Sequence, residues 1–494
     1  MYMYARTLVV LVLNLYISRV VINNLGIDNY GIYNVVFGLV IILGFLNNSM
    51  SAASQRYLAF ELEGASVEDY KETFNSLMII HVVIGIIIFI LAESIGLWFL
   101  NHKLSFPALQ MEEINLLYQY SIFTFLMTVI QVPFRSNIIA NENFKFYSTS
   151  TVVEVFLKLI TAISIAFFTE NLLSYFGLLT FLSSILAFIM YYGYNMKFYW
   201  RYVPCLRFNS SKIKELVNYT SWNLFGNLSF VFTNQGTNIL LNMFFLPIVN
   251  ASMALALQIQ AAINSFVANV QLAINPQIIK SYAAGDLSYM NKLFLFSSKT
   301  SAFITIMMGL PLYLNLEFVI DLWLGNIPKF LVTFIELILI NILINSTTGP
   351  IMTMFQSTGR IKTYQVTIGI LLLLNLPISY FALTYLKHPE MVLYVSIILS
   401  VVSMILRLFL LKRVISFSIT YFFKIVLLRI FLVMLCSYLL AIIIDYFMNY
   451  VSDNFLINII QICLNILAII ASIFILGLNK MEKEYIFKIL NRSK

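Results

Sequence analysis

The sequence predicts an all-α, polytopic membrane protein with about 14 transmembrane helices, and three observations support this fold class. The 494 residues are 61% hydrophobic and 11% charged, whereas soluble domains average about 45–50% apolar and about 25% charged residues. The apolar residues form long blocks, such as 77–90 and 425–435, without the alternation that membrane β-strands show. Because one spanning helix takes about 20 residues, about 14 of them leave room only for short loops.

The predicted spans follow one another along the whole sequence, and each is a block of apolar residues between polar or basic turns. Their bounds are 5–25, 31–54, 74–100, 114–140, 148–168, 171–196, 216–244, 249–276, 293–316, 330–356, 364–386, 390–411, 424–447 and 455–479. The first span is expected to remain as an anchor, because it is longer than the apolar core of a signal peptide and no small-residue cleavage site follows it.

Basic residues set the predicted orientation. Lys and Arg are concentrated on every second loop, most clearly at 197–214 and in the tail at 480–494. Short cytoplasmic loops carry this excess, so an even number of spans with both termini in the cytoplasm is expected. The net charge of +8 is then expected to face anionic lipid headgroups, and no nucleic-acid partner is expected.

Two parts of the sequence look alike, and this likeness predicts the domain organisation. Residues 25–74 and 246–294 each contain a short turn, a helix dotted with polar residues, and a basic residue followed by Gly and an acidic residue. The pattern predicts two six-helix lobes, 1–200 and 201–414, related as in transporters with parallel repeats. Residues 415–494 would add two helices and a cytoplasmic tail.

Four of the predicted helices carry a stripe of uncharged polar side chains at helical spacing. The stripes comprise Thr7, Asn14 and Ser18 in the first span; Asn34, Asn48 and Gln55 in the second; Asn223, Asn227, Asn234 and Asn238 in the seventh; and Gln260, Asn264, Gln271 and Asn275 in the eighth. Such amides can join helices, at about 0.6 kcal/mol on average. Alternatively, they line a polar cavity between the halves for a sugar-like ligand, which is the interpretation we prefer for the set.

Charged side chains inside the predicted spans are candidates for function. Arg19 has no acidic residue at helical spacing in its own helix, and a guanidinium binds phosphate oxygens in a bidentate manner. Its alternative is extension to the membrane surface. Glu154 precedes Lys158 by four residues, which favours an ion pair, with ion coupling as the second interpretation. Glu336 is the other acidic candidate for coupling, and Arg407 and Arg429 are expected to extend to the inner surface.

The sequence offers little for other kinds of site. The three Cys residues and three His residues have no metal-ligand spacing, so no metal site is expected. No loop is long enough to hold a catalytic domain. A polysaccharide polymerase would usually have a large outer loop, and an acyltransferase would need a partner for its His. His81 has no obvious partner.

Five short segments carry a resemblance to a known family. They are 16–21 (YISRVV), 30–36 (YGIYNVV), 51–57 (SAASQRY), 222–226 (WNLFG) and 275–282 (NPQIIKSY). In their order and topology they resemble the Wzx-type flippases for lipid-linked oligosaccharides, within the multidrug/oligosaccharidyl-lipid/polysaccharide exporter superfamily. The resemblance covers most of the chain and is strongest over 5–75 and 215–290.

This resemblance implies two six-helix lobes in a V shape that work by alternating access. It implies export of an undecaprenyl-diphosphate-linked oligosaccharide, an O-antigen or capsule repeat unit as in lipopolysaccharide synthesis. The cargo would move from the cytoplasmic to the outer leaflet of the bacterial inner membrane. A polysaccharide polymerase and chain-length proteins are the implied partners. The alternatives are a cation-coupled drug exporter of the same fold and, with less support, a polymerase or acyltransferase.

The resemblance also gives Arg19 a role, since Ser18-Arg19-Val20 matches the setting of an arginine in the cavity of related lipid II flippases. No cofactor is expected apart from a coupling ion, Na+ or H+, with Glu154, Lys158 and Glu336 as the candidates. The predicted substrate-binding residues are Arg19, Asn14, Ser18, Asn48, Gln55, Asn223, Asn227, Asn234, Asn238, Gln260, Asn264 and Gln271.

Overall fold

The structure is a computed structural model that describes residues 2–43, 45–64, 66–199, 209–359, 361–415, 417–448, 455–480 and 482–483. Within these ranges every regular element is helical. The first half contains α1 (Tyr2–Leu25), α2 (Ile27–Leu43), α3 (Phe45–Gly64), α4 (Val67–Leu91), α5 (Leu97–Lys103), α6 (Met111–Ala140), α7 (Phe144–Ser164), α8 (Leu172–Phe198) and α9 (Ser210–Phe244).

The second half continues with helices of similar length and several short ones. They are α10 (Pro247–Ala283), α11 (Leu287–Leu314), α12 (Leu316–Leu324), α13 (Leu331–Thr358), α14 (Ile361–Leu373), α15 (Asn375–Leu386), α16 (Met391–Val414), α17 (Ile419–Phe422), α18 (Leu428–Met448) and α19 (Phe455–Ser472). Single π-helical turns connect α4 to α5 and α17 to α18, and another follows α19.

The predicted fold class is confirmed, because every one of the predicted spans coincides with described helix. Among the described residues, 12 helices are long and apolar enough to cross a membrane. Two predicted spans are not in that set. The second predicted span corresponds to α2 and α3, and the seventh corresponds to α9. The protein is therefore a multi-pass membrane protein.

The bounds of one helix differ from the prediction because of a proline residue. The eleventh span is divided at Leu374, because Pro377 has no N–H and fits only the first turn of the following α15. Pro311 and Pro350, in contrast, lie inside the continuous helices α11 and α13.

Polar residues in the connecting segments fix where several helices begin. The Ser66 hydroxyl accepts from the Asp69 N–H at 3.2 Å, and the Asp69 carboxylate accepts from the Ser66 N–H at 3.1 Å, which forms a capping box for α4. Asn143 and Asn209 cap α7 and α9 in the same way, through their side-chain oxygens. These caps fix the residues at which α4, α7 and α9 begin.

Two compact units emerge from the packing of the chain. The first comprises Met1–Leu255, Pro328–Phe330 and Gly369–Val392, and in it α6 packs against α2, α3, α4 and α8. The second comprises Ala256–Ile327, Leu331–Ile368 and Leu393–Lys494, and in it α11 packs against α13, α18 and α19. In this grouping α9 lies with α2 and α3. The division of the sequence into lobes at residues 200 and 414 stays a prediction.

Candidate functional site

The predicted site residues of α1 differ in exposure. Arg19 is half-buried in the last two turns of the helix, and Asn14 is exposed. Ser18 is 2% exposed, and its hydroxyl donates to the carbonyl oxygen of Leu15 at 2.8 Å. A hydroxyl bonded to its own helix backbone is a common way to satisfy serine in an apolar setting. Among the predicted site residues of this helix, Arg19 and Asn14 are therefore more accessible than Ser18.

The second stripe lies on α2 and α3. Asn34 donates to the carbonyl oxygen of Tyr30 at 2.7 Å, and Gln55 lies 3.4 Å from the hydroxyl of Ser51. Both side chains are half-buried. The side chain of Asn48 lies outside the described residues, so its role in substrate binding stays a prediction.

The end of α9 and the start of α10 carry a network of amides, which we call the amide network: Asn238, Asn242 and Asn250. The Asn250 Nδ2 donates to both the backbone oxygen and the Oδ1 of Asn238, at 2.6 and 2.8 Å. The Asn242 Nδ2 donates to the Oδ1 of Asn250 at 3.2 Å, and the Asn242 Oδ1 accepts from the backbone N–H of Ser105 at 3.0 Å. The three amides are at most 3% exposed.

This network gives Asn238 the role of a helix contact, which is one of the two interpretations the sequence leaves open. Asn242 and Asn250 were not among the predicted site residues, although Asn242 continues the spacing of four from Asn238. Asn234 is half-buried one turn earlier on α9. The side chains of Asn223 and Asn227 lie outside the described residues.

The close approach of α2 to this region depends on a glycine. A Cβ on Gly31 would overlap the backbone carbonyl oxygen of Pro247, the first residue of α10. A Cβ on Gly38 would lie 2.8 Å from the Oε1 of Gln235 on α9. Glycine therefore lets the backbones of α2 and the α9–α10 turn come together.

The remaining predicted residues of α10 belong to the second unit. Gln260 is half-buried and Asn264 is exposed. The Gln271 Nε2 donates to the hydroxyl of Ser301 on α11 at 3.2 Å, and a Cβ on Gly349 of α13 would lie 2.5 Å from that nitrogen. Gln271 therefore lies at the packing of α10 against α11 and α13.

The candidates for ion coupling also differ in their surroundings. The Glu154 Oε1 accepts from the Nε2 of Gln131 on α6 at 3.2 Å. The Tyr191 hydroxyl on α8 also interacts with Glu154, and it accepts from the Ser150 hydroxyl at 3.0 Å. Glu154 is thus a half-buried carboxylate among neutral hydroxyl and amide groups of three helices.

The predicted ion pair between Glu154 and Lys158 is wrong. Among the described residues, ion pairs join Lys212 to Glu61 and Lys299 to Glu482. Lys158 is exposed, whereas Glu154 is turned toward α6 and α8, where hydrogen-bond donors satisfy it. Glu336 is half-buried in the second turn of α13.

Sequence reasoning missed a cationic group near the starts of α1 and α7, which we call the arginine–tyrosine cluster: Arg6, Arg135 and Tyr147. The Arg135 Nη2 donates to the Tyr147 hydroxyl at 2.7 Å. The guanidinium carbons of Arg6 and Arg135 lie 5.1 and 5.0 Å from the centre of the Tyr147 ring. Both distances are within the range of cation–π contacts.

A buried lysine was also missed. Lys299 on α11 is 1% exposed, and its Nζ lies 2.7 and 2.8 Å from the two carboxylate oxygens of Glu482, beyond α19. Its partner is 183 positions away in the sequence, so no local spacing indicates the pair. Arg407 and Arg429, which were expected to extend to the surface, instead donate to Thr348 Oγ1 at 2.8 Å and to the Gly477 carbonyl at 3.2 Å.

A second charged contact lies at the start of α9. The Lys212 Nζ is 2.6 Å from the Oε1 of Glu61 on α3, and that oxygen also accepts from the Thr73 hydroxyl at 3.1 Å. Asn209 donates to Glu72 on α4. Burial opposes the charge of Lys212, but the hydrogen bond to Glu61 and the nearby acidic groups outweigh it and raise the Lys212 pKa above its ordinary value.

Comparison with solved structures shows which proteins share this fold. No family model and no curated protein matches the chain. The lipid II flippase MurJ in an inward closed conformation is similar over 95% of this chain and 97% of its own, with a TM-score of 0.69 and 14% identity. A multidrug resistance MATE family transporter of the MOP superfamily, in its inward-facing conformation, is similar over 82% of this chain and 96% of its own, with a TM-score of 0.63 and 13% identity.

A third structure, the MATE multidrug transporter DinF-BH in complex with R6G, covers 83% of this chain and 95% of its own. Its TM-score is 0.58 and its identity 15%. The chain therefore has the fold of these membrane transporters. At this level of identity the likeness concerns the fold, and the cargo has to be argued from this chain's own residues.

Proposed function

We propose that the protein is a flippase that moves a polyprenyl-diphosphate-linked oligosaccharide from the cytoplasmic to the outer leaflet of the bacterial inner membrane. Transport would occur by alternating access, and the cargo would be an O-antigen or capsule repeat unit. It would then pass to a polysaccharide polymerase and chain-length proteins, as the sequence resemblance implies. The protein would carry out no covalent chemistry itself.

The observation that carries this proposal is the extent of the fold match. The drug transporters are covered over 95–96% of their own length, yet they leave about a sixth of this chain without a counterpart. The lipid II flippase matches 95% of this chain and 97% of its own. A protein that handles a lipid-linked cargo is thus the more complete structural counterpart.

Arg19 is the residue that we assign to the diphosphate. It is a half-buried guanidinium within an apolar helix, and a charge in that setting is costly unless it serves a partner. A guanidinium fits two phosphate oxygens at once. Asn14, exposed on the same helix, and the half-buried Asn234 and Gln55 would offer uncharged hydrogen-bonding groups to sugar hydroxyls.

Glu154 is the coupling residue that we favour over Lys158 and Glu336. Its carboxylate accepts from Gln131 and interacts with the Tyr191 hydroxyl. Among the described residues no cation lies within ion-pair distance of it, although Arg135 interacts with it at longer range. A carboxylate held this way can bind and release H+ or Na+ without breaking an ion pair. The exposed Lys158 lacks this setting.

The test is a flipping assay with the purified full-length protein in proteoliposomes. A fluorescent polyprenyl-diphosphate-linked sugar is loaded, and loss of fluorescence to a quencher that cannot cross the membrane reports transfer between leaflets. We expect Arg19→Ala to lower the flipping rate at least about tenfold, because a charge-assisted contact worth more than about 1.4 kcal/mol is lost. Arg19→Lys should lose less, and Lys103→Gln, an exposed cation on α5, should match the wild type.

The same vesicles test coupling and the rival function. Glu154→Gln should remove the acceleration that a proton or sodium gradient gives, while leaving exchange without a gradient. Wild-type protein that does not flip the lipid but exports cationic dyes would establish the drug-exporter alternative instead. An Arg19→Ala variant that flips at the wild-type rate would remove Arg19 from the cargo site.

A further inference from the structure

The arginine–tyrosine cluster concentrates positive charge in one small volume of the first unit. Two guanidinium groups share a single aromatic ring, with their central carbons 5.1 and 5.0 Å from its centre. The Arg135 Nη2 also donates to the Tyr147 hydroxyl at 2.7 Å, and Arg6 interacts with the same hydroxyl. Two like charges that contact one ring repel one another, so an arrangement of this kind is most stable when an anion lies beside them.

No carboxylate of the chain supplies that anion within the described residues. The described ion pairs within 4.0 Å involve neither Arg6 nor Arg135. The acidic side chain with which Arg135 interacts is Glu154, and the described hydrogen bond of that carboxylate is to Gln131. A guanidinium has five N–H donors, and the described bond of Arg135 to Tyr147 uses one of them. Donors therefore remain for a further acceptor.

The cluster is accessible from the membrane surface. Arg6 lies in the second turn of α1, Arg135 lies five residues before the end of α6, and Tyr147 lies in the first turn of α7. These are helix ends next to loops, and both arginines are half-buried. A ligand can therefore reach the guanidinium groups without entering the helix packing.

The surface beside the cluster suits acyl chains. On α1, Leu8 is 52% exposed and Val12 is 62% exposed. On α7, which packs against α1, Val153 and Phe156 are 37% and 47% exposed. A pair of arginines next to an exposed apolar helix face combines the two features that a phospholipid presents, an anionic headgroup and hydrocarbon chains.

We propose that Arg6, Arg135 and Tyr147 form a binding site for the phosphate of an anionic phospholipid from the bilayer. The two guanidinium groups would bind the phosphate oxygens, and the lipid chains would lie along the exposed faces of α1 and α7. The site is separate from Arg19, which lies 13 positions further along α1. Its lipid would stabilise the packing of α1, α6 and α7 by neutralising the two charges.

The test uses the full-length protein in a neutral detergent, with native mass spectrometry and thermal melting as readouts. Short-chain phosphatidylglycerol is the probe, and short-chain phosphatidylcholine is the zwitterionic comparison. We expect phosphatidylglycerol to bind at least about tenfold more tightly, and Arg6→Gln or Arg135→Gln to weaken it about tenfold each. Lys145→Gln, which removes an exposed charge from the same end of α7, should change the affinity less than about twofold.

Further variants separate binding from folding. Tyr147→Phe keeps the ring and both charges, so it should retain phosphatidylglycerol binding. Arg6→Gln changes a residue at the edge of the packing, so it keeps the test usable where Arg135→Gln fails to fold. Binding that survives in the double arginine variant, or that is lost equally in Tyr147→Phe, would overturn the proposal.

Two competitors identify the source of the phosphate. Inorganic phosphate should fail to displace phosphatidylglycerol at equal concentration, because it lacks the acyl chains. A polyprenyl diphosphate should compete weakly. If it displaces the phospholipid and depends on Arg6 and Arg135 more strongly, the cluster is a cargo site and the phospholipid assignment is wrong. Because the readout is binding in detergent, it is independent of whether flipping occurs.

Discussion

The two ends of α9 are held by different chemistry. At the end near Phe244, the amide network joins α9 to α10 and to the segment that precedes α6 through neutral hydrogen bonds, and its three asparagines are at most 3% exposed. At the end near Ser210, the Lys212–Glu61 ion pair joins α9 to α3, and its side chains are 24% and 9% exposed. The end near Phe244 is thus neutral and buried, and the end near Ser210 is charged and partly exposed.

This difference has a consequence for movement. A buried amide that loses its partner has no water to replace it, so each broken bond costs about 1–3 kcal/mol. A charged pair near the surface is replaced by hydration on separation, and its net contribution is about 0.2–1 kcal/mol. If α9 moves during the proposed transport cycle, the hydrogen bonds at its amide end would therefore persist. The ion pair at its charged end could break and re-form.

The Lys299–Glu482 pair distinguishes the effect of charge from the effect of burial. It is ionic like the contact at Lys212, but Lys299 is 1% exposed, as the amides are. We expect Glu482→Gln to destabilise the protein by about 3–5 kcal/mol, because a buried ammonium loses its counter-charge. Thermal melting in detergent measures this, with Lys480→Gln as the control for the tail. A loss of stability of only about 0.2–1 kcal/mol, the value expected for an exposed ion pair, would show that charge and not exposure makes such contacts weak.

The amide end is tested by Asn250→Leu. The substitution removes the donor to both oxygens of Asn238 and the acceptor for Asn242. We expect a loss of about 2–3 kcal/mol, since two buried polar groups are left without partners. Asn264→Leu on the same helix is the matched control, because that side chain is exposed. Equal melting temperatures for the two variants would contradict the role of the network.

The close approach of α2 to the same end is tested by Gly31→Ala. The added methyl group would meet the backbone of Pro247, which cannot rotate away as a side chain could. We expect a loss of about 1–3 kcal/mol from this overpacking. Gly193→Ala is a suitable control, because nothing lies within 4 Å of its added Cβ and alanine favours helix. If both variants melt like the wild type, the amide end tolerates movement and the comparison fails.

The sequence predicts the helices well but not their contacts. Long apolar blocks and short basic loops place each span, because hydropathy and charge act locally along the chain. The stripe that contains Asn238 was also visible, since its spacing is that of a helix. Its partner Asn250 lies beyond a turn, and the bond from Ser105 to Asn242 joins residues 137 positions apart. No periodicity encodes such pairings, and the same holds for Lys299 with Glu482.

The arginine–tyrosine cluster shows the same limit from another side. Arg135 and Tyr147 are only 12 positions apart, yet a turn between α6 and α7 separates them. Each looks like an ordinary residue at the end of a predicted span. What makes them a candidate site is the third helix, which brings Arg6 to the same ring. Arg19 was singled out because it lies within a predicted span with no acidic residue at helical spacing. Arginines at helix ends give no such signal.

The charged end of α9 is expected to give the smallest effect and a distinctive dependence on pH. Because the Lys212 pKa is raised in the folded protein, its stabilisation is fully present below the unfolded value of about 10.4 and is lost as the pH rises through the folded pKa. Lys212→Met should therefore lower stability by about 0.2–1 kcal/mol at pH 7.5, and the difference from the wild type should be smaller at pH 11 than at pH 7.5. Melting at both pH values measures this, with the exposed Lys214→Met as the control. A difference that persists unchanged at pH 11 would mean that the stem of Lys212 packs against α3 instead of pairing with Glu61, and the end near Ser210 would then resist opening as the amide end does.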